Sequence, residues 1–423
     1  MKRRDFLQAS VAAYLASLGL PLIGISDAAF AQSPQKKIAD GKGGGAKAEQ
    51  DQVLPSSNAP LIVVFLRGGA DGLSFLSPLD DPDFLAARPP EMRFIPSGFN
   101  TNPIMAGGTP LYWHPSTEPL SQLYQSGRLI PWVAVGFSDE TRSHFEAQEI
   151  MERGVSSLQS LPDALGWMAR QEISRDSRFN SKPKSGQFTL PLFAANNNQP
   201  RSMQGATEVL TVKDLMGGMN FPGGPASFRA IESLCQAESS HAVSPFMLRT
   251  AKNIDTLNQS LPKNPTDGKV LPYVSSGAIT YPNSDPAVGL RSVARLLQAK
   301  VGLQYAWVDH EGWDTHEYQN GRISNLLKDL SGALAAFDSD MQAQKQAYSL
   351  VVMTEFGRRL RSNRSNGTDH GHGSLAFVMG SSVQGGKVMG NWPGLTSDKL
   401  DRGVDLAVTT DYREVLRRAI AWS

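Results

Sequence analysis

Continuous hydrophobic runs alternate with amphipathic stretches along most of the chain. Each run has strand length and no polar alternation, which is typical of strands covered on both faces. The runs are Leu61–Leu66, Leu129–Val135, Leu303–Val308, Tyr348–Met353 and Leu375–Met379. Helical spacing is clearest at Gly289–Lys300 and Ile323–Met341, and it returns at Val404–Trp422. The alternation predicts an α/β fold, a three-layer α/β/α sandwich with a mostly parallel sheet.

Two parts of the chain break this pattern. From about 160 to 280, helical patches are separated by loops rich in Asn, Pro and Gly, which we interpret as a cap-like insertion. Residues 32–58 are rich in Gly, Lys, Gln and Ser, and we predict a flexible linker there. The predicted organisation is therefore a signal peptide at 1–31, this linker, and one domain at 59–423.

The N-terminal segment has the features of an export signal. Paired arginines and a Phe-Leu pair lie within Arg3–Leu7, an apolar stretch follows at Val11–Ile25, and Ala29–Ala31 offers a small-residue cleavage site. This order resembles the twin-arginine signal, so we expect export to or beyond the periplasm through the twin-arginine machinery. The alternatives are an amphipathic helix or a retained anchor. The apolar stretch is short for a span, so no stable membrane span is expected after cleavage.

Composition narrows the classes of function and of site. The 423 residues are 40% hydrophobic and 19% charged, with a formal net charge of +1, so there is no basic excess that would favour nucleic acid. The single cysteine, Cys235, excludes an intramolecular disulfide and a thiolate-rich zinc site. Any bound metal must therefore use nitrogen and oxygen ligands.

Polar residues that could bind a metal follow several of the predicted strands. In open parallel sheets, ligands bind beyond the carboxyl ends of the strands, so these side chains are expected to converge on one crevice. Imidazole and carboxylate groups are ligands for zinc, which we expect first, and manganese, calcium or iron are alternatives. The other interpretation is a polar network whose histidines face water or cap helices. The candidates are Asp71, Asp309, His310, Asp314, His316, Asp369, His370 and His372.

Five short motifs also occur in a fixed order along the chain. They are Arg-Gly-Gly-Ala-Asp-Gly at 67–72, Arg-Ser-His-Phe-Glu-Ala-Gln at 142–148, Gly-Trp-Asp-Thr-His at 312–316, Thr-Glu-Phe-Gly-Arg at 354–358 and Gly-Thr-Asp-His-Gly at 367–371. Together they resemble DUF1501, an exported bacterial family of unknown function, from Leu61 to Leu416. That family is similar to the alkaline phosphatase/sulfatase superfamily, in which one sheet carries a two-metal site. The resemblance implies an alkaline-phosphatase-like fold.

The resemblance also implies roles for individual residues. The nucleophile would be Ser143, or Thr141 if the turn is longer, although a serine at this place could simply cap the helix with Glu146 in a capping box. His144 would serve as an acid or base or orient a ligand. Either of two arginines, Arg142 and Arg358, would bind an anionic group.

One position departs from the superfamily pattern. Glu355 and Phe356 stand where the superfamily has an Asp-His pair of metal ligands. Glu355 remains a candidate ligand, or a carboxylate that a neighbouring arginine holds. Phenylalanine cannot bind a metal, so one of the two metal sites is expected to be weakened or absent.

These observations predict an exported, metal-dependent hydrolase that acts on an anionic ester, either a phosphate or a sulfate, small or linked to a polymer. The alternative is a non-catalytic periplasmic or cell-surface binding protein that keeps a remnant metal site on the same fold. A metal-dependent oxidoreductase or isomerase is a third interpretation, which no redox-cofactor motif supports.

Overall fold

A computed structural model of the chain describes residues 59–160, 165–178, 189–206, 208–219, 224–241 and 244–421. The predicted signal peptide and linker lie outside the described residues. Residues 218–270 belong to one compact unit, and the described residues before 218 and after 270 belong to a second unit.

The strands of the second unit are β1 Leu61–Leu66, β2 Leu76–Ser77, β3 Ile104–Ala106, β4 Thr109–Trp113, β5 Leu129–Gly136, β6 Leu192–Ala195, β7 Val209–Thr211, β8 Tyr305–His310, β9 Ser349–Thr354, β10 Ser374–Gly380 and β11 Thr410–Asp411. Eight of them form one sheet in the order β11-β5-β10-β9-β1-β8-β6-β7, and β2, β4 and β3 form a small second sheet. Among the described strands of the large sheet, only β10 pairs antiparallel with its neighbours. The predicted α/β fold with a mostly parallel sheet is confirmed.

The helices are α1 Gly72–Phe75, α2 Pro82–Ala87, α3 Glu118–Gln125, α4 His144–Arg153, α5 Trp167–Arg178, α6 Gly224–Ala237, α7 Ser244–Ser260, α8 Asp285–Gln298, α9 Gln319–Gln344 and α10 Tyr412–Ala421. The apolar stripe predicted within α8 is buried, since Leu290, Val293 and Leu296 are fully covered. The helix predicted at Val404–Trp422 begins later, at Tyr412, because Thr410 and Asp411 pair with β5 instead. No described helix is long and apolar enough to cross a membrane.

The register of the central strands places several loops at one edge of the sheet. Leu66, the last residue of β1, pairs with His310 of β8 and with Thr354 of β9, so these three strands end side by side. Strand β10 runs in the opposite direction, so the loop before Ser374 reaches the same edge. Four loops therefore meet there.

The segment from about 160 to 280 contributes to the sheet as well as to the smaller unit. Strands β6 and β7 extend the large sheet beyond β8 in parallel. Helices α6 and α7 pack on each other within the 218–270 unit. The helical patches predicted for this segment thus account for only part of it, and its interpretation as a cap stays a prediction.

Candidate metal centre

Three histidine side chains surround one carboxylate at the shared edge of the sheet. Asp314 lies in the loop after β8, and its Oδ1 atom is 3.0–3.6 Å from an imidazole Nε2 atom of each histidine. The distances are 3.6 Å to His144, 3.0 Å to His316 and 3.3 Å to His370. We call these four residues the His3Asp cluster. The sequence predicted Asp314, His316 and His370 as ligands, whereas His144 was predicted to act as an acid or base or to orient a ligand.

The Nδ1 atom of each ring faces an oxygen that can only accept a hydrogen bond. The pairs are His144 with Glu355 Oε1 at 2.8 Å, His316 with Asp369 Oδ1 at 3.3 Å, and His370 with the Arg142 carbonyl oxygen at 2.8 Å. Each neutral ring must therefore carry its proton on Nδ1, which leaves the Nε2 lone pair free. Metal-binding histidines are usually held in this way, so the rings are oriented for coordination.

The cluster fits a divalent metal better than it fits a hydrogen-bonded network. The Nε2 atoms of His316 and His370 are only 2.9 Å apart, yet neither carries a proton if both Nδ1 atoms donate. A cation bound by these lone pairs would relieve the repulsion between them. Ligand atoms of His144, Asp314 and His370 all lie within 4.8 Å of one another. Three imidazole nitrogens and one carboxylate oxygen form a donor set suited to zinc.

The buried guanidinium of Arg358 keeps the Asp314 carboxylate in its charged form. Burial opposes ionisation, but the hydrogen bond and charge of Arg358, with His316 and His144 nearby, lower the pKa of Asp314 to about 2. Arg358 is almost fully buried, and its remaining N–H groups donate to backbone carbonyls. Those carbonyls belong to Gly68, Gly69, Trp313 and Thr368. Arg358 therefore supports Asp314. Its guanidinium has no nitrogen left for a bound anion, which is the role that the sequence analysis predicted for it.

Glu355 is fully buried behind His144. Besides the imidazole, its carboxylate accepts bonds from the Gly68 backbone N–H and the Gln148 side-chain amide, both at 2.9 Å. Burial opposes ionisation of Glu355, but these bonds hold its pKa below the usual value. The bond to Glu355 in turn raises the pKa of His144. Glu355 thus orients a ligand in the structure and does not itself join the cluster.

Phe356 packs against the cluster from the apolar side. Its ring centroid is 4.8 Å from that of His144 and 4.9 Å from that of His370. A side chain at Gly69 would approach the Phe356 ring to 2.4 Å, and Gly69 also has a φ of +70°. Phe356, which cannot bind a metal, therefore fills the space beside the rings of His144 and His370.

Three predicted carboxylate ligands lie outside the cluster. Asp71 is fully buried and paired with Arg88 Nη1 at 2.6 Å, so the structure does not bring it to the cluster. Asp309 continues β8 and is held by Arg67 at 2.9 Å and by the Asn196 amide at 2.8 Å. Asp369 Oδ1 accepts a hydrogen bond from the Asn363 amide at 3.2 Å and faces the Nδ1 atom of His316 at 3.3 Å. The carboxylate oxygens of Asp71 and Asp309, which a metal would need, are therefore already bound by arginine or amide groups.

Two predicted histidine ligands also lie elsewhere. His310 is the last residue of β8, packs edge-on against Trp313 and is 4% exposed. Burial lowers its pKa to about 4. His372 is buried between the Asp401 carboxylate and the Phe137 carbonyl oxygen, each at 3.0 Å from a ring nitrogen. Neither ring is free to turn toward Asp314.

The predicted catalytic residues before α4 have local partners. The guanidinium of Arg142 is bound by Asp401 and Asp405, so it is not open to an anion, although its carbonyl oxygen holds His370. The Thr141 hydroxyl donates to Glu146. Ser143 is the N-cap of α4, but its side chain makes no capping bond, so the predicted capping box is wrong.

Sequence reasoning missed Gln148, although a signal for it was present. His144 and Gln148 are four residues apart, and residues at that spacing share one face of a helix. Both reach Glu355.

The cluster is open to solvent on one side. The exposed fraction of the side chain is 47% for Asp314, 41% for His316 and about a quarter for His144 and His370. Catalytic metal sites differ from structural ones in keeping such a side open for water or substrate.

Residues 274–416, about a third of the chain, match the family model DUF1501, which is described as a protein of unknown function. The predicted resemblance to DUF1501 is confirmed there. The matched range includes Asp314, His316, Glu355 and His370, whereas His144 lies before it. No protein with a curated description matches this sequence.

Three solved structures are remotely similar to the chain. The C-terminal periplasmic domain of EptC from Escherichia coli, in complex with zinc, is 9% identical with a TM-score of 0.37, over 78% of this chain and 74% of that one. A protein in the alkaline phosphatase superfamily from Vibrio parahaemolyticus is 11% identical with a TM-score of 0.30, over 80% and 66%. TAB5 alkaline phosphatase, a mutant with magnesium bound, is 8% identical with a TM-score of 0.31, over 79% and 94%.

Proposed function

We propose that the chain is a metal-dependent hydrolase of an anionic ester, a phosphate or a sulfate, with one divalent metal held by the His3Asp cluster. One observation carries the proposal. Three Nε2 atoms surround the Asp314 carboxylate, and each of these rings is fixed through Nδ1 by an acceptor. Zinc is the metal that this donor set favours.

A divalent metal, when bound, would polarise an ester oxygen and stabilise negative charge on it. The residues of the chain divide the remaining work. Glu355 and Asp369 fix the orientation of two rings, and the Arg142 carbonyl oxygen fixes the third. Arg358 keeps Asp314 ionised, so that it remains a ligand at any physiological pH.

Ser143 is the better of the two predicted nucleophiles. It directly precedes His144, and its hydroxyl makes no capping bond. The hydroxyl of Thr141, by contrast, is engaged by Glu146. In the proposed reaction the Ser143 oxygen forms a bond to phosphorus or sulfur as the bond to the ester oxygen breaks, and the hydroxyl proton passes to the departing alcohol. Water then hydrolyses the ester on Ser143 and releases phosphate or sulfate.

The metal is tested first, by elemental analysis of the protein purified after native export. We expect about one equivalent of a divalent metal per chain, and loss of that metal in His370→Ala. Asp309→Asn is the matched control, because Asp309 is a carboxylate beside the same loop that does not face the cluster. Much less than one equivalent in the wild type would overturn the proposal.

The reaction is tested with a panel of aryl phosphates and aryl sulfates. Turnover should require the metal, and Ser143→Ala should reduce kcat by at least about 100-fold, whereas Thr141→Ala should not. If Ser143→Ala retains full activity, Ser143 is not the nucleophile.

A non-catalytic binding protein on the same fold is the second candidate. It is favoured by one observation: both arginines predicted to bind the anion, Arg142 and Arg358, are held by internal partners. A protein that binds one equivalent of metal and hydrolyses no ester of either class would establish this candidate.

Export through the twin-arginine pathway is also proposed, on the basis of the N-terminal sequence. Replacing Arg3 and Arg4 together with lysine should retain the full-length precursor in the cytoplasm. Unchanged export of this variant would exclude the pathway.

A further inference from the structure

A second polar cavity lies at the start of the long helix α9, within the unit that holds the sheet. The space between its lining side chains is about 280 Å³ when the part that opens to solvent is counted. Its polar lining comes from three places along the chain. These are Ser74 and Ser77 near α1, Arg93 and His114 around the small sheet, and Gln319 and Asn320 in the first turn of α9.

Arg93 brings an uncompensated positive charge to this cavity. Within the described residues its side chain has no hydrogen bond and no ion pair, and its Nε atom is buried without a partner. By contrast, the covered side chains of Arg67 and Arg128 are paired with carboxylates, those of Asp309 and Asp338. A half-buried guanidinium without a counter-charge is unfavourable, so an anion beside it would be stabilising.

His114 adds a neutral donor. The residue is 6% exposed, and its Nδ1 atom accepts a hydrogen bond from the Ser116 backbone N–H at 3.1 Å. The ring proton must therefore be on Nε2, which has no partner within the described residues. Burial lowers the pKa of His114 to about 4, so the ring stays neutral at physiological pH. Phe94 packs edge-on against the ring and fixes its plane.

The N-terminus of α9 contributes a partial positive charge. The helix runs from Gln319 to Gln344, and its N-terminus carries the positive end of the helix dipole. Among the described residues, no aspartate or glutamate lines the cavity. The lining thus combines a guanidinium, an imidazole N–H and a helix N-terminus, all of which favour a negative ligand.

We propose that this cavity binds a small oxyanion, a carboxylate or phosphate group, through Arg93 and the Nε2–H of His114. The group could be a free ion or the end of a larger ligand that enters from solvent. The proposal does not depend on the proposed hydrolase activity, since none of these residues belongs to the His3Asp cluster.

The test uses the full chain with metal removed by a chelator and with its seven histidines labelled with nitrogen-15. Titration with inorganic phosphate, and separately with acetate, should shift the ring signals of one histidine saturably. That signal should be absent in His114→Gln. Failure of both anions to shift the His114 signal would overturn the proposal, whatever the outcome of the metal and hydrolysis experiments.

Two arginine variants make the test specific. Arg93→Gln should weaken binding by about 10- to 100-fold, because it removes a charge-assisted contact. Arg361→Gln, at an exposed arginine outside the cavity, should leave binding unchanged. Equal binding by wild type and Arg93→Gln, with both proteins folded by their melting temperatures, would also overturn the proposal. Saturation by phosphate but not by acetate would support the proposal for phosphate groups alone.

Discussion

Two aspartates, Asp71 and Asp314, follow neighbouring parallel strands, yet their surroundings are opposite. Asp71 is fully buried and is bound by Arg88, by the Ser74 hydroxyl and by the Gln319 amide. Asp314 is nearly half exposed and faces three imidazole rings. The first carboxylate is part of the core of the fold, and the second is the centre of the candidate site.

The comparison shows that position beyond a strand end does not by itself make a ligand. Burial opposes the charge of Asp71, but Arg88 more than offsets it and holds its pKa below the usual value. A carboxylate whose oxygens are already taken by a guanidinium and an amide has little capacity left for a metal. At Asp314, Arg358 and the three imidazoles all face Oδ1, and Oδ2 has no hydrogen-bond partner among the described residues.

The largest expected effect comes from breaking the Asp71 pair. Arg88→Leu should lower the free energy of unfolding by about 3–5 kcal/mol, because it leaves a buried carboxylate without its counter-charge. Denaturant unfolding measures this loss. The double variant Asp71→Leu/Arg88→Leu removes both charges and should be more stable than the single variant. The folded variants should keep the metal, and loss of the metal would mean that Asp71 serves the cluster after all.

The buried histidine His310 allows a second prediction, on how the stability of the fold depends on pH. His310 has a pKa of about 4 in the folded chain against an ordinary value of 6.5. The unfolded chain therefore binds the proton first, and stability is lost as the pH falls from about 6.5 to about 4. This residue should contribute a loss of up to about 3 kcal/mol.

The variant His310→Leu measures that contribution in metal-free protein. Its stability should fall less than that of the wild type between about pH 6.5 and pH 4. Above pH 7 the two proteins should show the same slope. An unchanged slope in the acid range would mean that His310 is not buried as a neutral ring.

A smaller effect, on metal affinity, is expected from Glu355, the carboxylate that holds His144. Glu355→Gln should weaken metal binding by about 10- to 100-fold, because the amide holds the His144 Nδ1–H less strongly than the carboxylate does. Competition with a chelator of known affinity measures the change. Asp309→Asn is the matched control, and its affinity should equal that of the wild type. Equal affinities in all three proteins would remove Glu355 from the support of the site.

Local pattern predicted much of the fold and part of the site. Largely apolar runs identified β1, β5, β9 and β10 to within a residue or two at each end, because strands buried on both faces carry mostly apolar side chains. Parallel strands end together, so the meeting of Asp314 with His370 followed from the order of the loops.

The remaining errors depend on partners that are distant in the chain. Arg88 follows α2 and reaches Asp71 only after the chain has turned back, which no spacing rule reveals. Strand β8 runs two residues further than its apolar run, because Asp309 finds Arg67 and Asn196 while His310 is covered by Trp313. Sequence can show which residues are able to bind a metal, but it cannot show which of them tertiary neighbours have already paired.

The smallest expected change concerns Ser143. A serine that caps a helix usually contributes about 1 kcal/mol, but this hydroxyl makes no capping bond. Ser143→Ala should therefore change the free energy of unfolding by less than about 0.5 kcal/mol, the range of ordinary surface substitutions. Denaturant unfolding of this variant beside Thr141→Ala provides the measurement. A loss near 1 kcal/mol would mean that Ser143 caps α4 in solution, and the proposal of a free nucleophile next to His144 would lose its structural basis.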